Sequence, residues 1–264
     1  MHLRGDLTED DFSAFADESV GMTGADIARI VRLARRVARK QRRAVTPSDI
    51  MASLPGRITI SQKLRRNIAI HELGHAVVAI MTGTRKLTSI SVEHRATADV
   101  QQQVLGNATM EADEHAIRNK QTYFDNIAIL LGGMAAEQVF LGEHGDGVTS
   151  DLDDATRIAI ILDRHLGMNG VLHSWPVGFD IRAINDVRRH DSALLRRIEP
   201  ILQEQLARAK TIIESRRPQI SGLWLDLIER GSLSGHEIEE KLWREDKIPM
   251  PTPRMRRKIR QRLS

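Results

Sequence analysis

The sequence of 264 residues contains no cysteine, and only 3% of its residues are aromatic. Without cysteine there are no disulfides, no thiolate ligands and no thiol nucleophile, so a bound metal must be held by histidine, aspartate or glutamate. With so few aromatic rings the core must be built from aliphatic residues, a composition that favours helix over strand. We therefore predict a mainly α protein with a small β element.

The absence of long apolar segments and of several catalytic motifs excludes further classes of protein. The longest strongly apolar stretch, residues 127–136, is about half of what a membrane-spanning helix needs, and the first ten residues lack the apolar segment of a signal peptide. We expect the chain as given to be cytoplasmic. The dipeptide Gly-Lys does not occur, so the phosphate-binding loop of P-loop ATPases is missing. Since Gly-x-Ser-x-Gly and cysteine are also missing, a serine or cysteine hydrolase is excluded.

The formal net charge is +4, with basic residues concentrated at Arg29–Arg43 and Arg254–Arg262. Such stretches can contact nucleic acid, anionic lipid or acidic protein, but most form a solvated helix face or a loose tail. A nucleic-acid binder would lose affinity steeply with salt, and no set of base-contacting side chains is visible in the sequence. Direct nucleic-acid binding is therefore not the expected function.

The first 55 residues are typical of a small helical unit. Thr23 and Asp26, in "TGAD", form the pattern of a capping box that begins a helix. Thr46 followed by Pro47 gives a second helix start, as N-cap and first helical residue. The segment "SLPGR", residues 53–57, then interrupts the pattern and is the predicted boundary.

Beyond that boundary, apolar residues recur at helical spacing from Ser61 to Met81, so this segment is predicted to be a helix. Residues 86–92 alternate and are rich in β-branched side chains, and residues 100–109 are the predicted partner strand. Further helices are predicted at 111–141, 151–166, 190–217, 219–230 and 234–244.

The sequence "HELGH" lies within the first of these helices. Because residues four apart share one face of a helix, His71 and His75 can direct their imidazoles to one point, with Glu72 beside them. Zinc held by neutral imidazoles, with one position open to water, promotes attack on an amide carbonyl when a carboxylate accepts the proton. The motif therefore predicts metal-assisted peptide hydrolysis.

Zinc needs a third protein ligand, and the residues leave two candidates open. The metzincin motif is excluded, because Val78 and Met81 occupy the positions of its glycine and third histidine. Glu137 lies in an apolar helix, where a carboxylate without a partner is costly. It is therefore one candidate for the third zinc ligand, in the manner of thermolysin-like enzymes. The other candidate is the acidic cluster "TSDLDDAT", where helix capping is at least as good an explanation for each aspartate alone. In this cluster Asp151 begins a helix, and Asp153 and Asp154 follow.

Five segments taken together resemble the peptidase domain of the FtsH family of ATP-dependent zinc proteases. They occur in the order and spacing of that family over roughly residues 57–245 and are "AIHELGHAVVA", "LGGMAAEQVFLG", "GDGVTSDLDDATRIA", "LGMNGVLHSWPVG" and "AKTIIESRRPQISGLWLDLIERGSLSGHEIEEKL". Three departures are visible: Leu73 stands where the family usually has alanine, "TSD" replaces the more usual "SND", and residues 89–109 fit poorly with the family's strand and loop beside the active site.

The resemblance implies a role for each motif residue. His71 and His75 become zinc ligands, Asp151 the third ligand and Glu72 the general base, with one zinc per chain. Glu137 becomes a carboxylate that holds a ligating imidazole in the correct tautomer. The substrates implied are unfolded or membrane-extracted proteins, whose polypeptide lies in extended form along an edge strand near the site.

Residues 15–50 resemble the end of the AAA+ ATPase lid that precedes this peptidase domain. The resemblance divides the chain into part of a lid at 1–55, the peptidase domain at 56–248 and a basic tail at 249–264. ATP would then act only through an ATPase module upstream. The intact protein is expected to be a homo-hexamer, anchored to a membrane by an upstream region, with this domain facing the cytoplasm.

The main alternative is an inactive relative that keeps the fold and serves as an assembly or adaptor module. The complete set of His71, Glu72, His75 and Asp151 argues against it, because residues without a catalytic role are free to change.

Overall fold

The computed structural model describes residues 15–16, 18–19, 22–97, 104–112, 117–170, 172, 174 and 180–244. The predicted basic tail lies outside these residues. Ten helices of more than one turn and five short strands are found in the described part of the chain. The predicted mainly α fold with a small β element is therefore confirmed.

The elements are named here in chain order. They are α1 (Gly24–Lys40), α2 (Pro47–Ala52), β1 (Arg57–Thr59), α3 (Gln62–Thr82), β2 (Arg85–Val92), β3 (Arg95–Thr97), β4 (Gly106–Ala112), α4 (Lys120–Leu130), α5 (Gly132–Leu141), a 3-10 turn (Asp146–Val148), α6 (Thr149–Arg164), α7 (Ile181–His190), α8 (Ser192–Ser215), α9 (Arg217–Arg230), β5 (Ser232–Ser234) and α10 (Gly235–Arg244).

The described residues of Met1–Thr59 and Arg95–Val104 form one compact unit. The predicted capping box of Thr23 and Asp26 is confirmed at the start of α1, and Thr46 is the N-cap of α2 as predicted. A small core of Ile30, Ala34 and Ile50 joins the two helices. Strands β1 and β3 pair antiparallel in the same unit. The assignment of this segment to an AAA+ lid remains a prediction.

The second unit comprises the described residues of Ile60–His94 and Leu105–Ser264. Its central helix is α3, which Ser61 caps and which ends at Gly83, in the left-handed conformation. Every residue from Leu73 to Thr82 is buried, because α4, α5, α8, α9 and β2 all pack against this helix. A helix enclosed on all sides needs apolar residues on all its faces, so its few polar side chains are conspicuous.

The sheet of the second unit has the strand order β4-β2-β5 and is antiparallel throughout. Its register places Ile90 opposite Ala108 on one side and Leu233 on the other. Ile90 and Leu233 are buried in the same aliphatic core as α3. Strand β4 is an edge of this sheet.

The structure corrects one helix boundary. The helix predicted from residue 111 begins at Lys120, because the chain continues pairing with β2 up to Ala112. The helix then breaks at Leu131, where α5 begins. The predictions did not include α7 or the strands β1, β3 and β5, since strands of three residues are too short to give a periodic pattern.

No single helix in the described part of the chain is long and apolar enough to span a membrane. Helices α4 and α5 meet that requirement only as a pair, and they are bent by 44° at their junction.

Helices α3 and α5 approach each other so closely that their backbones touch at two glycines. A Cβ atom on Gly74 would lie 2.2 Å from the carbonyl oxygen of Gly132, and one on Gly132 would lie 2.7 Å from the carbonyl oxygen of Gly74. Neither backbone can give way without unpacking a helix. The two glycines therefore set the distance between α3 and α5.

Replacing Gly74 with alanine should lower the free energy of unfolding by about 1–3 kcal/mol, the usual cost of overpacking, although alanine favours helix. Gly222→Ala in α9 is the matched control, since a Cβ there meets nothing within 4 Å, and it should be neutral or stabilising. Urea denaturation measures both variants. Equal effects of the two substitutions would contradict the close backbone contact.

Candidate metal centre

Three side chains of the second unit converge on one point. His71 and His75 lie one turn apart on α3, and their Nε2 atoms are 3.0 Å from each other. Asp151, in the first turn of α6, places Oδ2 3.2 Å from His71 Nε2 and 3.3 Å from His75 Nε2. These three residues are the one group in the described residues that is arranged to hold a metal ion.

The spacing of this triangle fits zinc. Ligand atoms about 2.0–2.1 Å from a tetrahedral zinc ion lie about 3.3–3.4 Å from one another. The three distances in this site, from 3.0 to 3.3 Å, are slightly shorter. Two imidazole nitrogens and one carboxylate oxygen are also a ligand set that zinc accepts, and three protein ligands leave one position of the tetrahedron for water.

The hydrogen bonds of the two Nδ1 atoms determine that the Nε2 atoms of His71 and His75 face the centre. His71 Nδ1 lies 2.6 Å from Glu137 Oε1, and His75 Nδ1 lies 2.7 Å from the carbonyl oxygen of Ile129. Because both partners are acceptors, both Nδ1 atoms donate a proton to them. Each Nε2 atom therefore directs its lone pair towards the other and towards Asp151. Such a group of acceptors needs a cation between its members, which is a metal ion or a proton.

Glu137 is buried and has both of its oxygens engaged. Oε1 accepts from His71, and Oε2 accepts from the backbone N–H of Gly145 at 2.7 Å. Burial raises the pKa of this carboxyl, but the hydrogen bonds from His71 and Gly145 outweigh burial and lower the pKa below its usual value. Glu137 is therefore an ionised acceptor behind His71.

The electrostatics of the centre favour positive charge. Burial lowers the pKa of His71, but hydrogen bonds to Asp151 and Glu137 outweigh it and raise that pKa to about 9. Burial also raises the pKa of Asp151, whereas hydrogen bonds from His71 and His75 hold it well below its usual range. Both shifts have one cause: two imidazoles and a carboxylate lie within hydrogen-bond distance of one another, an arrangement that favours a cation among them.

Glu72 lies beside the three converging residues without joining them. Its carboxylate accepts a hydrogen bond from the backbone N–H of Ala108 on β4, and burial raises its pKa. Strand β4 approaches closely because residue 106 is glycine: a Cβ atom there would lie 3.0 Å from Glu72 Oε1. A partly buried carboxylate with a raised pKa, next to a candidate metal centre, is suited to accept and return a proton.

The geometry separates the candidates for the third ligand. Asp153 forms ion pairs with Arg157 and Arg188, and Asp154 forms one with Arg157. These two carboxylates therefore have arginine partners of their own. Within the acidic cluster it is Asp151 that reaches both histidines. Glu137 contacts the outer nitrogen of His71 instead of the centre.

Several groups in the site were absent from the sequence predictions. The backbone groups of Ile129, Gly145 and Ala108 orient His75, Glu137 and Glu72. Main-chain contacts leave no signal in residue identity. The paired glycines of "LLGG" are an exception. Consecutive glycines inside a buried apolar helix indicate that another group approaches closely, and they could have been recognised in the sequence.

Two histidines and an aspartate around one point, with a carboxylate base beside them, form the arrangement that metal-assisted hydrolysis requires. The comparison with known families agrees with this class. The chain belongs to peptidase family M41, whose sequence model matches residues 58–241. That range contains every residue of the candidate metal centre.

Curated relatives match most of the chain. The "ATP-dependent zinc metalloprotease FtsH 2" of Symbiobacterium thermophilum is 28% identical over 259 residues, covering 92% of this chain and 43% of the relative. The "ATP-dependent zinc metalloprotease FtsH" of Thermus thermophilus is 26% identical over 273 residues, covering 96% of this chain and 42% of the relative. The chain thus spans less than half the length of these relatives.

Replacing Asp151 with alanine should weaken zinc binding by more than about 100-fold, since it removes one of three ligands. Asp154→Ala is the matched control, and it should leave zinc affinity unchanged because it breaks only an ion pair at the helix surface. Titration against a chelator of known zinc affinity measures both. A larger loss in the Asp154 variant would show that the wrong carboxylate has been assigned.

Glu137→Gln should weaken zinc binding by about 10–100-fold, as expected when a partner that orients a metal ligand loses its charge. The exposed Glu143, six residues further along the chain, provides a matched Glu→Gln control with no expected effect. The same chelator titration applies. Zinc affinity unchanged in Glu137→Gln would exclude a role for this carboxylate in orienting His71.

Proposed function

We propose that this chain contains a zinc-dependent endopeptidase domain. His71, His75 and Asp151 hold one zinc ion, and Glu72 acts as general base. The observation that carries the proposal is the convergence of the three ligand atoms at 3.0–3.3 Å, with the outer nitrogen of each imidazole held by an acceptor. Membership of a peptidase family and the names of the relatives, which are zinc metalloproteases, support it.

The chemistry divides between the ion and the protein. Zinc bound at this centre supplies a Lewis acid that polarises a carbonyl and lowers the pKa of water to about 7. Glu72 accepts a proton from the attacking water and returns it to the leaving amine. Its burial favours this exchange, because a raised pKa brings the carboxylate closer to neutral pH. Glu137 keeps the proton on His71 Nδ1, so that Nε2 remains available as a ligand.

Strand β4 is the proposed platform for the substrate. It is an edge of the sheet, and its residues Gly106 and Ala108 lie against Glu72. An extended polypeptide that adds to this edge by main-chain hydrogen bonds would pass the metal centre regardless of its side chains. We therefore propose unfolded polypeptides as the substrate class, cleaved at internal peptide bonds.

For the intact protein, we propose that ATP hydrolysis drives substrate delivery through an ATPase module that lies outside this sequence. The relatives are named as ATP-dependent proteases, and this chain spans less than half of their length. We also propose a homo-hexamer, anchored to a membrane through an upstream region, with the peptidase domain facing the cytoplasm. These proposals rest on the resemblance of residues 15–50 to an AAA+ lid. Direct nucleic-acid binding has no part in this function.

Glu72→Gln should retain zinc and lose peptide hydrolysis by about 10²–10⁴-fold, because the amide keeps the shape of the side chain but cannot accept the proton. The assay uses a short unstructured peptide that needs no unfolding, alongside elemental analysis for zinc. Glu143→Gln serves as the control and should keep both properties.

Loss of zinc together with activity would show that Glu72 is a ligand and not the base. Full activity in Glu72→Gln would assign the base to another residue. Hydrolysis by the unaltered chain should stop when zinc is chelated and return when zinc is restored. Zinc binding without cleavage of any peptide would favour the alternative of an assembly or adaptor module.

A further inference from the structure

Gly133, the second residue of α5, lies directly against the imidazole of His71. A Cβ atom at this position would lie 2.5 Å from Cε1, 2.6 Å from Nε2 and 2.7 Å from Nδ1 of that ring. All three distances are far below van der Waals contact. We propose that Gly133 is a positioning residue for the metal centre: its missing side chain provides the space in which His71 can direct Nε2 to the metal. This inference rests on the proposed zinc site.

The contacts of both ring nitrogens restrict how the imidazole of His71 can move away from a Cβ atom at residue 133. Its Nδ1 is held by Glu137 at 2.6 Å, and its Nε2 faces His75 and Asp151 at 3.0 and 3.2 Å. His75 is itself buried and held by the carbonyl oxygen of Ile129. Moving the ring away from residue 133 therefore disturbs the hydrogen bond to Glu137, the convergence with the other ligands, or both.

The neighbouring glycines have different surroundings. Gly132, one residue earlier, meets the backbone of Gly74 and sets the distance between two helices. A Cβ on Gly145 would make an ordinary contact at 3.7 Å with Glu137, and one on Gly147 would meet nothing within 4 Å. Gly133 is thus distinguished by its contact with a proposed metal ligand, which a requirement for close helix packing does not explain.

The inference predicts that Gly133→Ala weakens zinc binding although it removes no ligand. Metal centres need their ligands within about 0.5 Å of the productive geometry, and the Cβ atom demands a shift of at least that size in the ring or in α5. We expect a loss of affinity of about 10–100-fold, as for a lost orienting partner. Gly147→Ala, close to the site in sequence but in open space, should bind zinc like the unaltered chain.

Two measurements on the full chain test the inference. Zinc affinity is measured by chelator competition for the unaltered protein, Gly133→Ala and Gly147→Ala, after circular dichroism has confirmed that each is folded. The metal-free proteins are then compared in a double-mutant cycle, with urea unfolding of Gly133→Ala in the presence of His71 and in a His71→Ala background. If the Cβ atom acts on the imidazole, its destabilising effect should fall by at least half once the ring is removed.

The outcomes separate this inference from the proposed function. Gly133→Ala with unaltered zinc affinity would overturn the inference and leave the zinc site standing. Equal destabilisation by Gly133→Ala with and without His71 would overturn it as well, since the effect would then come from helix packing. If the unaltered chain binds no zinc, the proposed function fails, and with it the role of Gly133 at a metal centre. Should Gly133→Ala not fold, its refolding in the His71→Ala background would support the inference, and failure in both would contradict it.

Discussion

The backbone contact between α3 and α5 is the constraint on which the rest of the site depends. Because Gly74 and Gly132 have no side chains, the two helices meet at main-chain distance. This approach brings Glu137 within 2.6 Å of His71. A larger residue at either glycine would separate the helices, and the imidazole of His71 would lose the acceptor that determines its tautomer. Gly74 and Gly132 therefore determine both the distance between the two helices and the contact that orients His71.

The three polar residues of α3 at the candidate metal centre are tolerated in an enclosed helix because each one has a partner from another element. His71 is hydrogen-bonded to Glu137 of α5, and His75 to the carbonyl oxygen of Ile129 at the end of α4. Glu72 accepts a hydrogen bond from the backbone of Ala108 on β4. Burial without these partners would cost several kcal/mol for each group. At the centre three ligand atoms face one another, and a metal ion would bind all three at once.

The sequence predicts the histidine pair of this arrangement. It does not predict the third ligand, the main-chain partners or the extent of β4, and each has a physical reason. Helical spacing placed His71 and His75 on one face, and the structure has them there on α3. The residues alone could not decide between Glu137 and Asp151 as third ligand, because their distances to the histidines depend on how helices far apart in sequence pack. Main-chain partners such as Ile129 have no sequence signature. The extent of β4 was also misjudged, since pairing with β2 overrides the weak helical pattern after Thr109.

The central claim is that His71, His75 and Asp151 form a zinc site, and the most direct test is the zinc content and coordination of the purified chain. Elemental analysis after purification in zinc-supplemented buffer should give about one zinc per chain, and a His75→Ala control should give far less. X-ray absorption at the zinc edge should then show two imidazole nitrogens and oxygen ligands at about 2.0–2.2 Å. A chain without zinc, or with zinc retained in full by His75→Ala, would contradict the account.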